Sequence, residues 1–132
     1  LEKKMRKGLF LIACFFGFLA TAFGAFGAHG LKSVATKEMI EIFNLGVEYQ
    51  FYHTFAIMGA AIAGQWLPSK RLDYSAYAFI IGIIFFSGSL YAYALTGTKL
   101  VAIMTPIGGM SFLVGWLLLA ATVWQNRMES KV

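Results

Sequence analysis

Four stretches of this chain contain no Asp, Glu, Lys or Arg: Gly8 to Ala28, Tyr49 to Ser69, Tyr74 to Thr98 and Leu100 to Asn126, of 21, 21, 25 and 27 residues. A helix rises about 1.5 Å per residue, so roughly 20 apolar residues cross the hydrocarbon core of a bilayer and each stretch is long enough to span it. Of the 132 residues 59% are hydrophobic and 13% charged, which excludes a water-soluble domain built around one core. The expected fold is all-α, with residues 1–132 forming a single domain. It is an integral membrane bundle of four antiparallel transmembrane helices joined by short connections. Met5 is a candidate start, which makes Leu1 to Lys4 residues that precede the natural chain.

The net charge of +5 does not indicate nucleic acid, because Lys and Arg fall in short clusters between the apolar stretches rather than along one face. They read as topology signals. Lys3, Lys4, Arg6 and Lys7 precede the first span, Lys70 and Arg71 separate the second from the third, and Arg127 and Lys131 follow the fourth. The other connections hold Lys32, Lys37 and Lys99. The positive-inside bias therefore places both termini in the cytoplasm of a plasma-membrane protein. Ala25, Gly27 and Ala28 after an apolar run also sketch a secretory signal, but 21 residues exceed the roughly 7 to 15 of a signal core. The single Cys14 allows no intrachain disulfide and reads as a small buried apolar side chain.

The first span stops where His29 meets the negative helix end, with Gly30 expected in a left-handed cap and Leu31 packing back. Gly17 and Gly24 lie on small-residue seams at four-residue spacing, which lets another helix approach closely, and Gly27 belongs to the same small lining. Ser33 to Gly46 is too polar to span, and Met39, Ile40, Ile42, Phe43 and Leu45 make an apolar stripe opposite Lys37, Glu38 and Glu41. A short amphipathic segment on the outer membrane surface is expected there between the first and second spans, capped by Thr36, with a continuous helix into the second span as the alternative. The second span covers roughly Val47 to Leu67 and is stopped by Pro68. Asp73 suits the start of the third, which ends at Gly97. Thr105 and Pro106 look like the N-cap and first residue of the fourth.

With this threading His29, Glu48, Tyr49, Gln50, His53, Ser87, Ser89 and Thr105 collect in the outer half and form the candidate binding site, while the inner half is nearly featureless. Ionisable groups cost roughly 3 kcal/mol at mid-membrane, which singles them out. Glu48 sits at the membrane edge, within reach of water. His53 lies about 7 to 8 Å deeper and reads either as a site residue or as a neutral histidine hydrogen-bonded between helices. Glu48 and His53 point roughly 140° apart around a helix, so a metal centre would need His29 from a neighbour, and no metal is assigned. Trp116 falls near mid-bilayer, where its indole N–H needs an internal acceptor. Gly108 and Gly109 of TPIGG lack the phosphate-loop lysine and read as helix-packing positions, as does Trp116. No nucleophile motif or cofactor fingerprint is present, so no catalytic residue or cofactor is assigned.

GAFGAHGL (Gly24 to Leu31) is followed by YQFYH (Tyr49 to His53), FFSGSLY (Phe85 to Tyr91), TPIGG (Thr105 to Gly109) and GW (Gly115, Trp116). In this order they resemble a family of small four-span membrane proteins, domain of unknown function 423, with relatives called transmembrane protein 256. The resemblance covers the chain from Met5 onward and implies a polytopic bacterial plasma-membrane protein, with no activity, substrate or cofactor attached. All these motifs except GW fall at the outer helix ends, where the polar residues also collect.

The leading expectation is a non-enzymatic membrane protein whose outer cluster binds a lipid headgroup or small amphiphile, or simply fixes the bundle as a scaffold. A small transporter or channel subunit acting as a homo-oligomer is the alternative, and an intramembrane metal enzyme using His29, His53 and Glu48 comes third. Membrane lipid is the expected partner.

Overall fold

A computed structural model describes residues 2–130, with side chains through Asn126. The side chain of Arg127, and Leu1 and Lys131 entirely, lie outside that range. The backbone forms helix α1 (Lys7–Ala28), α2 (Lys37–Ala63), α3 (Lys70–Thr96) and α4 (Met104–Ser130), and no strand occurs among the described residues. Of these, α1, α3 and α4 include stretches long and apolar enough to cross a membrane. In α2 the run Glu48, Tyr49, Gln50, Tyr52, His53 dilutes the apolar character, so this helix needs protein around its polar side chains.

That protein is supplied on two sides. The principal contacts join α1 to α2, α2 to α3 and α3 to α4. On α1, Gly17, Gly24 and Gly27 face Thr54, Val47 and Phe43 of α2, in reverse order along the second helix. In α4, Gly108 meets the backbone of Phe85 and Phe86, and Gly115 meets the ring of Phe79, again in reverse order. Helices α1 and α4 flank this row and expose much of their apolar surface, including Leu11, Phe18, Leu113 and Leu117. One core joins Leu9 and Ala13 to Ala56, Ile57, Ala60, Ala61, Ala76, Phe79, Ile83 and Phe112; a smaller one gathers Leu31, Phe43, Val47 and Ala94.

Four local features differ from expectation. The amphipathic stretch Ser33 to Gly46 is not a separate surface segment: from Lys37 it forms the first turns of α2. Met39, Ile40 and Ile42 pack against the smaller core, and Phe43 belongs to it. Gly46 does not break the helix. A Cβ there would come 2.8 Å from the Tyr91 ring and 3.3 Å from the Ser87 carbonyl, so the missing side chain admits α3. Second, α1 ends with the His29 N–H on the carbonyls of Ala25 and Phe26, and Gly30 continues into a right-handed 3-10 turn, Gly30–Ser33. The left-handed cap occurs instead at Gly97, φ 70°, where α3 stops. Leu31 does pack inward. Third, a 3-10 turn (Lys99–Ile103) leads straight into Met104, so Thr105 lies inside α4 rather than capping it. Fourth, Cys14 is exposed on α1 and not buried. Thr36 does cap α2, its hydroxyl accepting from Met39 N–H at 3.2 Å, and Ser69 caps α3 in the same way through Arg71 N–H.

Within α3 the hydrogen bonding changes to π type over Ile83–Ser87. Such a turn holds one residue more than an α turn needs, and it re-aims every side chain beyond it.

Candidate functional site

Gln50 is the centre of the polar cluster. It is 2% exposed, and each end of its carboxamide is consumed by a different helix. The Nε2 group donates to the Phe16 carbonyl of α1 at 2.8 Å, and Oε1 accepts from the Tyr91 hydroxyl of α3 at 2.6 Å. One turn earlier on α2, the Gly46 carbonyl accepts from Ser87 Oγ at 2.6 Å. The rings of Phe23, Phe43 and Tyr91 pack edge-on or tilted around this level. Ser87 and Tyr91 sit in and just beyond the π turn, so it is the altered helical phase that lets both reach α2.

His53, three residues beyond Gln50, is 4% exposed and also fully used. Its Nδ1 lies 2.7 Å from the Tyr49 carbonyl, which only an N–H can satisfy, and its Nε2 accepts from the Trp116 indole N–H at 3.1 Å. These two bonds define a neutral imidazole protonated on Nδ1. The ring stacks on Phe112 at a centroid distance of 3.5 Å and an angle of 6°. With no free nitrogen lone pair, His53 in this arrangement can neither ligate a metal nor accept a proton. An apolar groove of about 550 Å³ runs over it between α2 and α4, lined by Tyr52, Phe55, Phe86, Leu113 and Trp116 among others, and opens sideways.

The remaining candidates divide. Ser89 donates to or accepts from Thr105 at 2.5 Å, which links the ends of α3 and α4. Tyr49 contributes its carbonyl to His53 and its ring to Phe86. Glu48 is exposed and accepts from the Tyr52 hydroxyl one turn along. His29 is exposed at the end of α1, beside Gly27, which faces Phe43 and Asn44 of α2, and it does not join His53. No three metal-ligating side chains cluster among the described residues. Of the packing positions, Gly108 lies against the α3 backbone and Gly27 against Asn44 and Phe43, while Gly17, Gly24 and Gly109 make ordinary contacts at 3.5 to 3.8 Å.

Two participants were not anticipated. Tyr91 reads as a belt aromatic, although its four-residue spacing from Ser87 puts both on one face. At the opposite end, Arg6 Nε donates to Asp73 Oδ1 at 3.0 Å, with the side chains 13% and 24% exposed. The Arg6 backbone N–H caps the Ala61 carbonyl of α2 at 3.0 Å. One residue thus ties the starts of α1 and α3 to the end of α2, so the inner half is not featureless.

A family model described as "Protein of unknown function (DUF423)" matches residues 23–109. The chain is 45% identical over 112 residues to the UPF0382 inner membrane protein YgdD of Escherichia coli K12, covering 84% of this chain and 85% of that one. It is 40% identical over 104 residues to a UPF0382 membrane protein of Haemophilus influenzae, covering 79% and 83%. Against UPF0382 membrane protein SSP2132 of Staphylococcus saprophyticus the identity is 38% over 101 residues, covering 76% and 83%. No solved structure matches.

Proposed function

Because the chain belongs to the DUF423 family of membrane proteins, whose shared label carries no activity, we propose its role from its own geometry: a non-enzymatic, multi-pass membrane scaffold held by a polar lock. In this reading all four helices cross the bilayer in alternating directions, α2 shielded between α1 and α3, with both termini cytoplasmic by the positive-inside bias. The observation that carries the scaffold reading is Gln50, whose buried carboxamide is hydrogen-bonded at one end to α1 and at the other to α3. A ligand at this level would have to break bonds that hold the helices in place. Ser87 on Gly46, Trp116 on His53 and Ser89 on Thr105 extend the same logic, and they favour an internal lock over the lipid or amphiphile site.

A density map of the protein in lipid nanodiscs tests this. Continuous side-chain density from Phe16 through Gln50 to Tyr91, with nothing inserted, is the expected result. A non-protein feature between those side chains would restore the binding-site reading, and proton or cation flux in proteoliposomes abolished by His53→Ala would replace it with transport. Threading is tested separately by thiol labelling of cysteines placed at each connection, with Cys14 replaced by Ser. A terminus labelled from outside intact cells would overturn it.

A further inference from the structure

The inner end holds a cavity that the lock does not use. About 380 Å³ in volume, it lies between the α2–α3 connection at Leu67 and Pro68, the first turns of α3 through Tyr74, and the end of α4 at Gln125 and Asn126. Its walls differ in kind from the groove over His53, because Lys70 and Arg71 contribute to them together with two carboxamides and the Tyr74 side chain. Two other cations of this end are paired, Lys4 with Glu2 at 2.8 Å and Arg6 with Asp73, while Lys3 and Lys7 do not line the cavity. Among the described residues neither Lys70 nor Arg71 has an acidic partner within ion-pair distance. Trp66, Tyr74, Tyr77 and Trp124 are all exposed at this end of the helices. Exposed Trp and Tyr gather at the depth of lipid headgroups, so the cavity opens where a bilayer presents its phosphates.

We propose that this cavity is a headgroup site for an anionic phospholipid. Arg71 offers a planar fork to the phosphate oxygens and Lys70 a second positive charge, while Gln125 and Asn126 supply donors and acceptors for headgroup hydroxyls. Basic pockets between membrane helices on the cytoplasmic side suit such headgroups on general electrostatic grounds. The site rests on the reading that α3 and α4 cross the bilayer, but not on the scaffold role.

The test uses the full chain in nanodiscs of phosphatidylcholine with phosphatidylglycerol as the minority lipid, with native mass spectrometry counting the lipids retained. Each cation near an anionic headgroup contributes about fivefold, so retention of phosphatidylglycerol over phosphatidylcholine is expected at about tenfold or more. Lys70→Gln with Arg71→Gln should bring it close to parity. Lys3→Gln with Lys7→Gln removes the same charge from the same end and should leave at least half the preference. Equal loss in both double variants, or parity in the unaltered protein, would overturn the site. Displacement of the lipid by millimolar inorganic phosphate would reassign it to a free anion and overturn the lipid identity. If the double variant does not fold, Arg71→Lys replaces it, and an unchanged preference there would overturn the role of the guanidinium. Carbonate extraction separates the two levels: release from membranes refutes the spans, whereas retention without lipid preference refutes the headgroup site alone.

Discussion

The two ends of the molecule are fastened by opposite chemistries. At the end expected to face outward the fastenings are neutral hydrogen bonds, in which the buried Gln50 and Ser87 meet the carbonyls of Phe16 and Gly46 and the half-buried Tyr91. At the end expected to face the cytoplasm the fastening is a partly exposed ion pair, Arg6 with Asp73, and Lys70 and Arg71 lie nearby with no acidic partner among the described residues. The difference follows from solvent. Deep in the helices an isolated charge is far costlier than an unmade hydrogen bond, so the groups there are neutral and mostly paired, with the Thr54 hydroxyl buried without a partner. Near water the charges remain hydrated, so an ion pair persists there at little cost.

The largest expected effect lies where the outer fastening depends on backbone contact. Gly108→Leu would drive a side chain into the backbone of Phe85 and Phe86, and a loss of about 3 kcal/mol or more is expected from detergent unfolding curves. Near-normal stability would show that α4 can shift without disturbing α3. Next comes Gln50→Leu, which leaves the Tyr91 hydroxyl without its acceptor and should cost about 1 to 2 kcal/mol. A double-mutant cycle with Tyr91→Phe should recover a coupling of about 1 kcal/mol that does not change with salt. Arg6→Gln with Asp73→Asn should show coupling of about 1 kcal/mol or less, shrinking as ionic strength rises. A salt-insensitive inner coupling, or a salt-sensitive outer one, would erase the contrast. At the small end, Tyr52→Phe removes a hydroxyl that reaches only the exposed Glu48, and no measurable change in stability is expected.

Much of the helical framework was legible from charge spacing alone, since the gaps between charged clusters mark where the helices lie. The extent of α2 was legible only as one of two alternatives, because Lys37, Glu38 and Glu41 also make its start look like a separate surface segment. What joins it to the rest is tertiary: the absent side chain at Gly46 and the stripe that packs on Leu31 and Ala94. For the site, sequence located Gln50, His53 and Trp116 and the need of the indole for an acceptor, but not which residue would meet it. His29 and His53 seemed convergent because both were assigned to the outer half. About one helical turn separates Phe43 and Asn44, the level at which α1 ends, from Val47, and nearly two more lead to His53, so the two histidines occupy different levels. The Arg6–Asp73 pair is not visible in the sequence because its members are 67 positions apart. Each also already had a local explanation, as a topology charge and as a first-turn acid.

The π turn at Ile83–Ser87 has a further consequence. It shifts the rotational phase of α3: before it Phe79 and Gly82 pack on α4, while Ser87 within it and Tyr91 beyond it bond to α2. A small rotation of one half is expected to be taken up there. Sequence drift at the basic end can therefore proceed without forcing compensating change at the Gln50 level, which makes the two halves of the protein separately adjustable.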